Sequence, residues 1–92
     1  MEKTNLILYI SGSSYRTQNA IDSLQSLVSD CGNAIAYQIV DVTEEPEVAE
    51  REKVFATPML VKANPPPQRR IIGDLNDKDL VLSKLDIKLM SK

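Results

Sequence analysis

The sequence predicts an α/β fold: a four-stranded mixed sheet with helices packed on it, in the order β-α-β-α-β-β-α. Three observations predict it. Asn5 to Ile10 is a continuous apolar run, the pattern of a strand buried on both faces. Ala20, Ile21, Leu24, Leu27 and Val28 then recur at helical spacing before a second apolar run, Ala34 to Val42, which together make a right-handed βαβ unit with parallel strands. Third, Ala56 to Leu75 holds two short apolar runs around a proline turn and contains four of the five prolines.

The elements follow in order. Ser11-Gly12-Ser13-Ser14 ends the first strand. The first helix opens near Thr17 with a side-chain cap and closes at Gly32. The second strand, Ala34 to Val42, is expected at a sheet edge. Thr43-Glu44-Glu45-Pro46 reads as a helix start, because proline is tolerated in the first turn and carboxylates suit the positive end of the helix dipole. Val48, Ala49, Glu52, Val54 and Phe55 give this second helix a weakly apolar side, opposite a charged side of Glu47, Glu50, Arg51 and Lys53. Ala56 to Leu75 reads as a hairpin, since each proline fixes φ and removes a donor. Its Thr57-Pro58 step enters a strand downstream of a βαβ pattern, where thioredoxin-like domains keep a cis-proline. In the last segment Asn76 is the expected cap, and Val81, Leu82, Leu85 and Leu89 form a helical stripe. Leu85 to Leu89 also alternates with period two, so helix and strand patterns compete there. The whole reads as a minimal thioredoxin-like fold.

Length and composition restrict the function. Ninety-two residues make one domain, 1–92, with a modest core. A formal charge of −2 leaves no basic excess for nucleic acid, and Phe55 with three tyrosines is too few aromatics for a base-stacking platform. The polar start and the lack of a membrane-length apolar run point to a cytoplasmic protein without a membrane partner. There is no histidine and only one cysteine, so neither a transition-metal site nor an internal disulfide is expected, and no cofactor is expected either.

The catalytic groups of a thioredoxin-like oxidoreductase are missing. Such an enzyme needs a low-pKa cysteine at the junction of first strand and first helix, and Ser11 to Arg16 holds none. Cys31 lies at the far end of that helix, where the dipole disfavours a thiolate, and reads as a small half-buried filler. The serine loop lacks a Gly-rich fingerprint and a Lys-Ser/Thr pair, so a Walker-type phosphate site is not supported. Glu44, Glu45, Glu47, Glu50 and Glu52 read as a solvated face or as a surface that meets a partner protein. Arg69 and Arg70 alternate across a strand: at most one faces the covered side, and the pair reads as an edge-strand solubilising device or as a contact for an acidic partner. The residues describe a non-enzymatic interaction module.

Asp41-Val42, Pro46, Ala49-Glu50, Ala56-Thr57-Pro58, Leu60, Lys62, Pro65, Pro67 and Arg69 to Leu75 fall at the spacing of the KaiB family, and Leu8-Tyr9-Ile10-Ser11-Gly12 resembles its Leu-Tyr-Val-x-Gly opening. The resemblance implies a small regulator of the ATPase and autokinase KaiC, acting in circadian timing or stress adaptation. It also implies a metamorphic chain. A ground-state α/β fold, in homodimers or tetramers, exchanges slowly with a thioredoxin-like monomer that binds KaiC; the second half of the chain refolds. The complex then captures KaiA and competes with the histidine kinase SasA. A module docking on a histidine kinase, without redox activity, is the alternative reading. By the same resemblance the KaiC-facing helix is Pro46 to Phe55, with Glu47, Glu50 and Lys53 as contacts, and the edge strand Ala36 to Val40, with Ala36 and Gln38, captures a further partner. Pro58, Pro65, Pro66 and Pro67 match family prolines, and X-Pro isomerisation is slow enough to contribute to the exchange. Lys84-Leu85-Asp86 stands where clock members carry Gly-Leu-Asp, which raises helix propensity by up to about 1 kcal/mol and predicts a shift toward the thioredoxin-like form. Asn19 in place of Arg, and the end at Lys92 without an acidic tail, point to a paralogue or a non-cyanobacterial homologue.

Overall fold

In the computed structural model, which describes residues 3–73 and 75–87, the opening apolar run is β1 (Thr4–Ile10). It is an inner strand. It pairs in parallel with β2 (Ile35–Asp41) and antiparallel with β3 (Met59–Asn64), and β3 pairs antiparallel with β4 (Arg69–Ile72). The sheet is therefore mixed with β2 at an edge, as the sequence predicts, and its order is β2-β1-β3-β4.

Strand alternation divides the side chains between two cores. Leu6, Leu8, Ile10, Leu60 and Ile71 face α1 (Tyr15–Cys31) and α3 (Lys78–Lys84), which bury Ala20, Leu24, Leu27 and Val81 against them. Tyr9, Met59 and Val61 face the other way, toward Val48 of α2 (Pro46–Arg51) and Val54 beyond it. The first face is covered over β1 and β3, while Tyr37 and Ile39 on the edge strand β2 stay exposed. The second carries only a six-residue helix with no buried residue of its own, so Ile7 and Val40 stay half-exposed.

Several boundaries differ from expectation, each for a local reason. The cap of α1 is Ser14, whose Oγ accepts from Thr17 N at 3.1 Å; Thr17 is instead the buried residue that the cap engages. One turn of 3-10 helix, Gly32–Ala34, takes the first residue expected of β2. The predicted second helix, Pro46 to Phe55, stops at Arg51 because Lys53 turns left-handed at φ 58. Phe55 lies beyond this turn, outside the helix, and is 81% exposed. The cap of α3 is Asp77, accepting from Leu80 N, because the neighbouring Asn76 side chain accepts the Ser23 hydroxyl of α1 at 2.8 Å. The competing patterns over Leu85 to Leu89 resolve into neither element as far as Ile87: Leu85 ends the helix and Asp86 turns left-handed at φ 56. Lys88 and Leu89 lie outside the described residues.

Both short helices end in the same way. Lys53 N donates to Glu50 O and Val54 N to Ala49 O, while Asp86 N donates to Ser83 O and Ile87 N to Leu82 O. These are Schellman pairs, whose left-handed position normally belongs to glycine. Here it is occupied by Lys53 and Asp86.

Candidate functional site

The junction between β1 and α1, where a thioredoxin-like enzyme keeps its thiol, is Ser11-Gly12-Ser13-Ser14. Gly12, at φ 65, brings its N–H to Asp41 Oδ1 at 3.2 Å. The same oxygen accepts from the Thr43 hydroxyl at 2.7 Å and from Thr43 N at 2.9 Å. The Thr43 hydroxyl first, and then the two amides, hold the Asp41 carboxyl below the usual carboxylate range. Asp41 is therefore a structural anion that ties the β1–α1 loop to the end of β2. Cys31 closes α1, partly buried against the core. Burial first, and the Asp30 carboxylate second, push its thiol up, which disfavours the reactive thiolate. Among the described residues, no cluster of His, Cys, Asp and Glu is placed to hold a metal.

What remains is surface. Glu47 and Glu50 are exposed on α2, and Lys53 is exposed on the turn beyond it. Gln38 is exposed on β2 and points to the same face, where it joins Val40, Val48, Arg51 and Arg70 around a groove of about 440 Å³. Ala36 is half-buried and lies farther along β2, away from α2. Tyr9 forms part of the groove floor; burial first, and then Glu52, raise its phenol above its ordinary value, so it stays protonated. Pro58 is buried at the entry to β3, while Pro65 is half-buried and Pro66 and Pro67 are exposed in the hairpin turn. The Thr57-Pro58, Asn64-Pro65 and Pro66-Pro67 bonds are cis. Lys84 is the exposed last residue of α3, and Asp86 is half-buried just beyond it. Both lie on the face opposite α2, so the expected contact residues and the residues at the end of α3 are not brought together.

Two cations make contacts that the sequence reading did not assign to them. Lys62, on β3, is 1% exposed, and its Nζ donates to the Asp86 carbonyl at 2.9 Å. Arg70, on β4, points to the other face, where Nη2 donates to Glu52 O at 2.7 Å and Nη1 to Lys53 O at 3.1 Å. The β3–β4 hairpin thus sends one cation to the C-terminal end of each short helix, where the dipole favours positive charge. The available signal was strand alternation, which puts Lys62 on the same face as Leu60. Neither helix terminus was legible enough to supply its partner.

The fold and these surfaces define a thioredoxin-like domain without thiol chemistry at its usual junction. Among solved structures, the N-terminal domain of SasA from Synechococcus elongatus aligns over 100% of this chain and 91% of its own, with TM-score 0.75 and 20% identity. Mitochondrial thioredoxin 3 from Saccharomyces cerevisiae aligns over 92% of this chain and 78% of its own, with TM-score 0.73 and 17% identity. At such identities the likeness is one of fold. The KaiB domain model matches residues 7–87, and the chain belongs to the KaiB family. The circadian clock protein KaiB3 of Synechocystis is 44% identical over 88 residues, covering 95% of this chain and 86% of the relative. The circadian clock oscillator protein KaiB of Prochlorococcus marinus is 40% identical over 83 residues, covering 89% of this chain and 79% of the relative.

Proposed function

We propose that this protein is a non-enzymatic, cytoplasmic regulator that binds a KaiC-like ATPase and autokinase and modulates its phosphorylation cycle. The observation that carries the reading is a combination: a chain of the KaiB family in a thioredoxin-like fold, with the acidic, half-packed helix α2 open to solvent. In this reading the binding form is a monomer. Glu47, Glu50 and Lys53 meet the ATPase, and the free edge of β2, with Ala36 and Gln38, receives a further partner such as a KaiA-like protein. A homodimeric or tetrameric ground state, refolded between Pro58 and Asp86, holds the chain in reserve.

Lys84 supports a population weighted toward the binding form. It ends α3 where glycine would weaken the helix, and a basic side chain suits that end of the dipole. A second reading, docking on a histidine kinase, is favoured by the likeness to the SasA domain, which the chain matches over its whole length. A pull-down with the KaiC homologue in ATP and ADP separates the two. Retention of the chain is expected; failure in every nucleotide and phosphorylation state, after prolonged incubation, would sink the first reading.

A further inference from the structure

We infer that Arg70 is a positioning residue for the partner-facing helix: it sets the C-terminal end of α2 from β4 and acts on partner binding through that helix. This rests on the reading of α2 as the ATPase-binding element.

α2 is weakly specified by its own sequence. It has six residues, none buried, and Glu45 gives it no side-chain cap. Its C-terminal end requires Lys53, a residue with a Cβ, to sit at φ 58. That conformation costs a non-glycine residue energy in every state that adopts it. Something outside the helix must therefore hold the turn. Val48 and Val54 pack on the second core from either side of it. The polar hold is Arg70, whose two terminal nitrogens take the carbonyls of Glu52 and Lys53, the residues that end the helix and make the turn. The planar fork is what allows one side chain to reach two adjacent carbonyls; a lysine ammonium is a point donor without that geometry. Arg70 also reaches Met59 Sδ at 3.7 Å, so its head sits against the second core at the N-terminal end of β3. Register completes the link. Arg70 stands opposite Val61 on β3, and β3 pairs with β1, so the end of α2 is referenced to the centre of the sheet.

Lys53 is also a contact candidate, so its side chain and those of Glu47 and Glu50 keep their relative placement only while this turn is held. Arg70 then contributes to affinity through pre-organisation. Arg70 is itself exposed, yet this role differs from that of a cation contacting an acidic partner, and the two make opposite predictions for a charge-conserving change.

The test compares Arg70→Lys and Arg70→Ala with the wild type in two measurements. Amide hydrogen exchange in the free protein reports the end of α2 through Glu52, Lys53 and Val54, with the β1 amides as internal control. Binding to the KaiC-like ATPase reports the consequence. Expected in both variants is about tenfold faster exchange at those three amides with β1 unchanged, and about tenfold weaker binding, as for the loss of one or two hydrogen bonds. Lys62→Met, which acts on the opposite face, leaves α2 exchange unchanged. If Arg70→Lys binds as the wild type while Arg70→Ala does not, Arg70 acts by charge and the positioning role is overturned. Unchanged α2 exchange in both variants overturns it as well. If the wild type itself binds no ATPase while exchange at α2 responds as expected, the partner reading fails and takes the binding role with it, leaving the helix clamp alone.

Discussion

Lys62 offers the sharpest energetic test of the fold. Its side chain is almost wholly buried on the α1/α3 face, and its ammonium donates to the Asp86 carbonyl at the end of α3. Lys62→Ala removes three methylenes, about 0.8 kcal/mol each, or about 2.4 kcal/mol in transfer free energy. It also deletes a charge-assisted hydrogen bond and leaves a carbonyl at a helix end to water, at a cost of about 1–3 kcal/mol. Against this, one buried ammonium no longer has to be desolvated, which returns a few kcal/mol. The electrostatic loss and gain nearly cancel, and the lost stem decides the sign. Lys62→Ala should destabilise by about 2–3 kcal/mol, or about 10–20 °C in Tm for a domain of this size. Lys62→Met keeps the stem and should stay within about 1 kcal/mol of the wild type, by the same cancellation. Urea unfolding followed by far-UV circular dichroism measures both. A Lys62→Ala protein within about 0.5 kcal/mol of the wild type, the range of an ordinary surface change, would show that the Lys62 stem is not packed in the core, because no buried side chain could be removed so cheaply.

Three further predictions follow. Because the folded-state pKa of Asp41 is lowered, its contribution is present above the ordinary carboxylate value of about 4 and is lost as pH falls through the folded value. Asp41→Asn should therefore have a lower urea midpoint than the wild type at neutral pH, with the gap closing in acid; a gap that widens in acid would contradict the hydrogen bonds to Thr43 and Gly12. Asp86→Gly removes the left-handed penalty at the end of α3 and should raise the stability of this fold by about 0.5–1 kcal/mol, read as a rise in Tm. Lys84→Gly should shift the population away from the thioredoxin-like form, followed by size-exclusion chromatography and NMR; a tetramer with another fold in the wild type, left unchanged by the substitution, would rule out the role given to Lys84.

How much was legible depended on whether the signal was local. Leu6, Leu8 and Ile10, and the stripe of Ala20, Leu24 and Leu27, encode their own periodicity, so β1, α1 and the parallel β-α-β unit followed from the sequence. The prolines announced the hairpin because they act on their own backbone. Where α2 and α3 stop was different. Nothing at Lys53 or Asp86 marks a left-handed residue in the way that glycine marks Gly32, and the cations at both ends come from the hairpin, far along the chain. The choice of Asp77 over Asn76 as cap turned on a hydrogen bond to Ser23 in another helix. The proposed contact surface was legible only in part. The charged side of α2 could be read from its residues, but its juxtaposition with Gln38 across a groove required the sheet order, and Arg70 beneath it required the third dimension.

The proposed role requires this KaiB-family chain to bind a KaiC-like ATPase as a thioredoxin-like monomer. Native mass spectrometry of the two proteins mixed with nucleotide tests it most directly. Complexes in which single copies of this chain occupy ATPase subunits are expected, as is their loss on reversing the charge of α2 with Glu47→Lys and Glu50→Lys. Complexes carrying the chain as an intact dimer or tetramer, or no complex in any nucleotide or phosphorylation state, would contradict it.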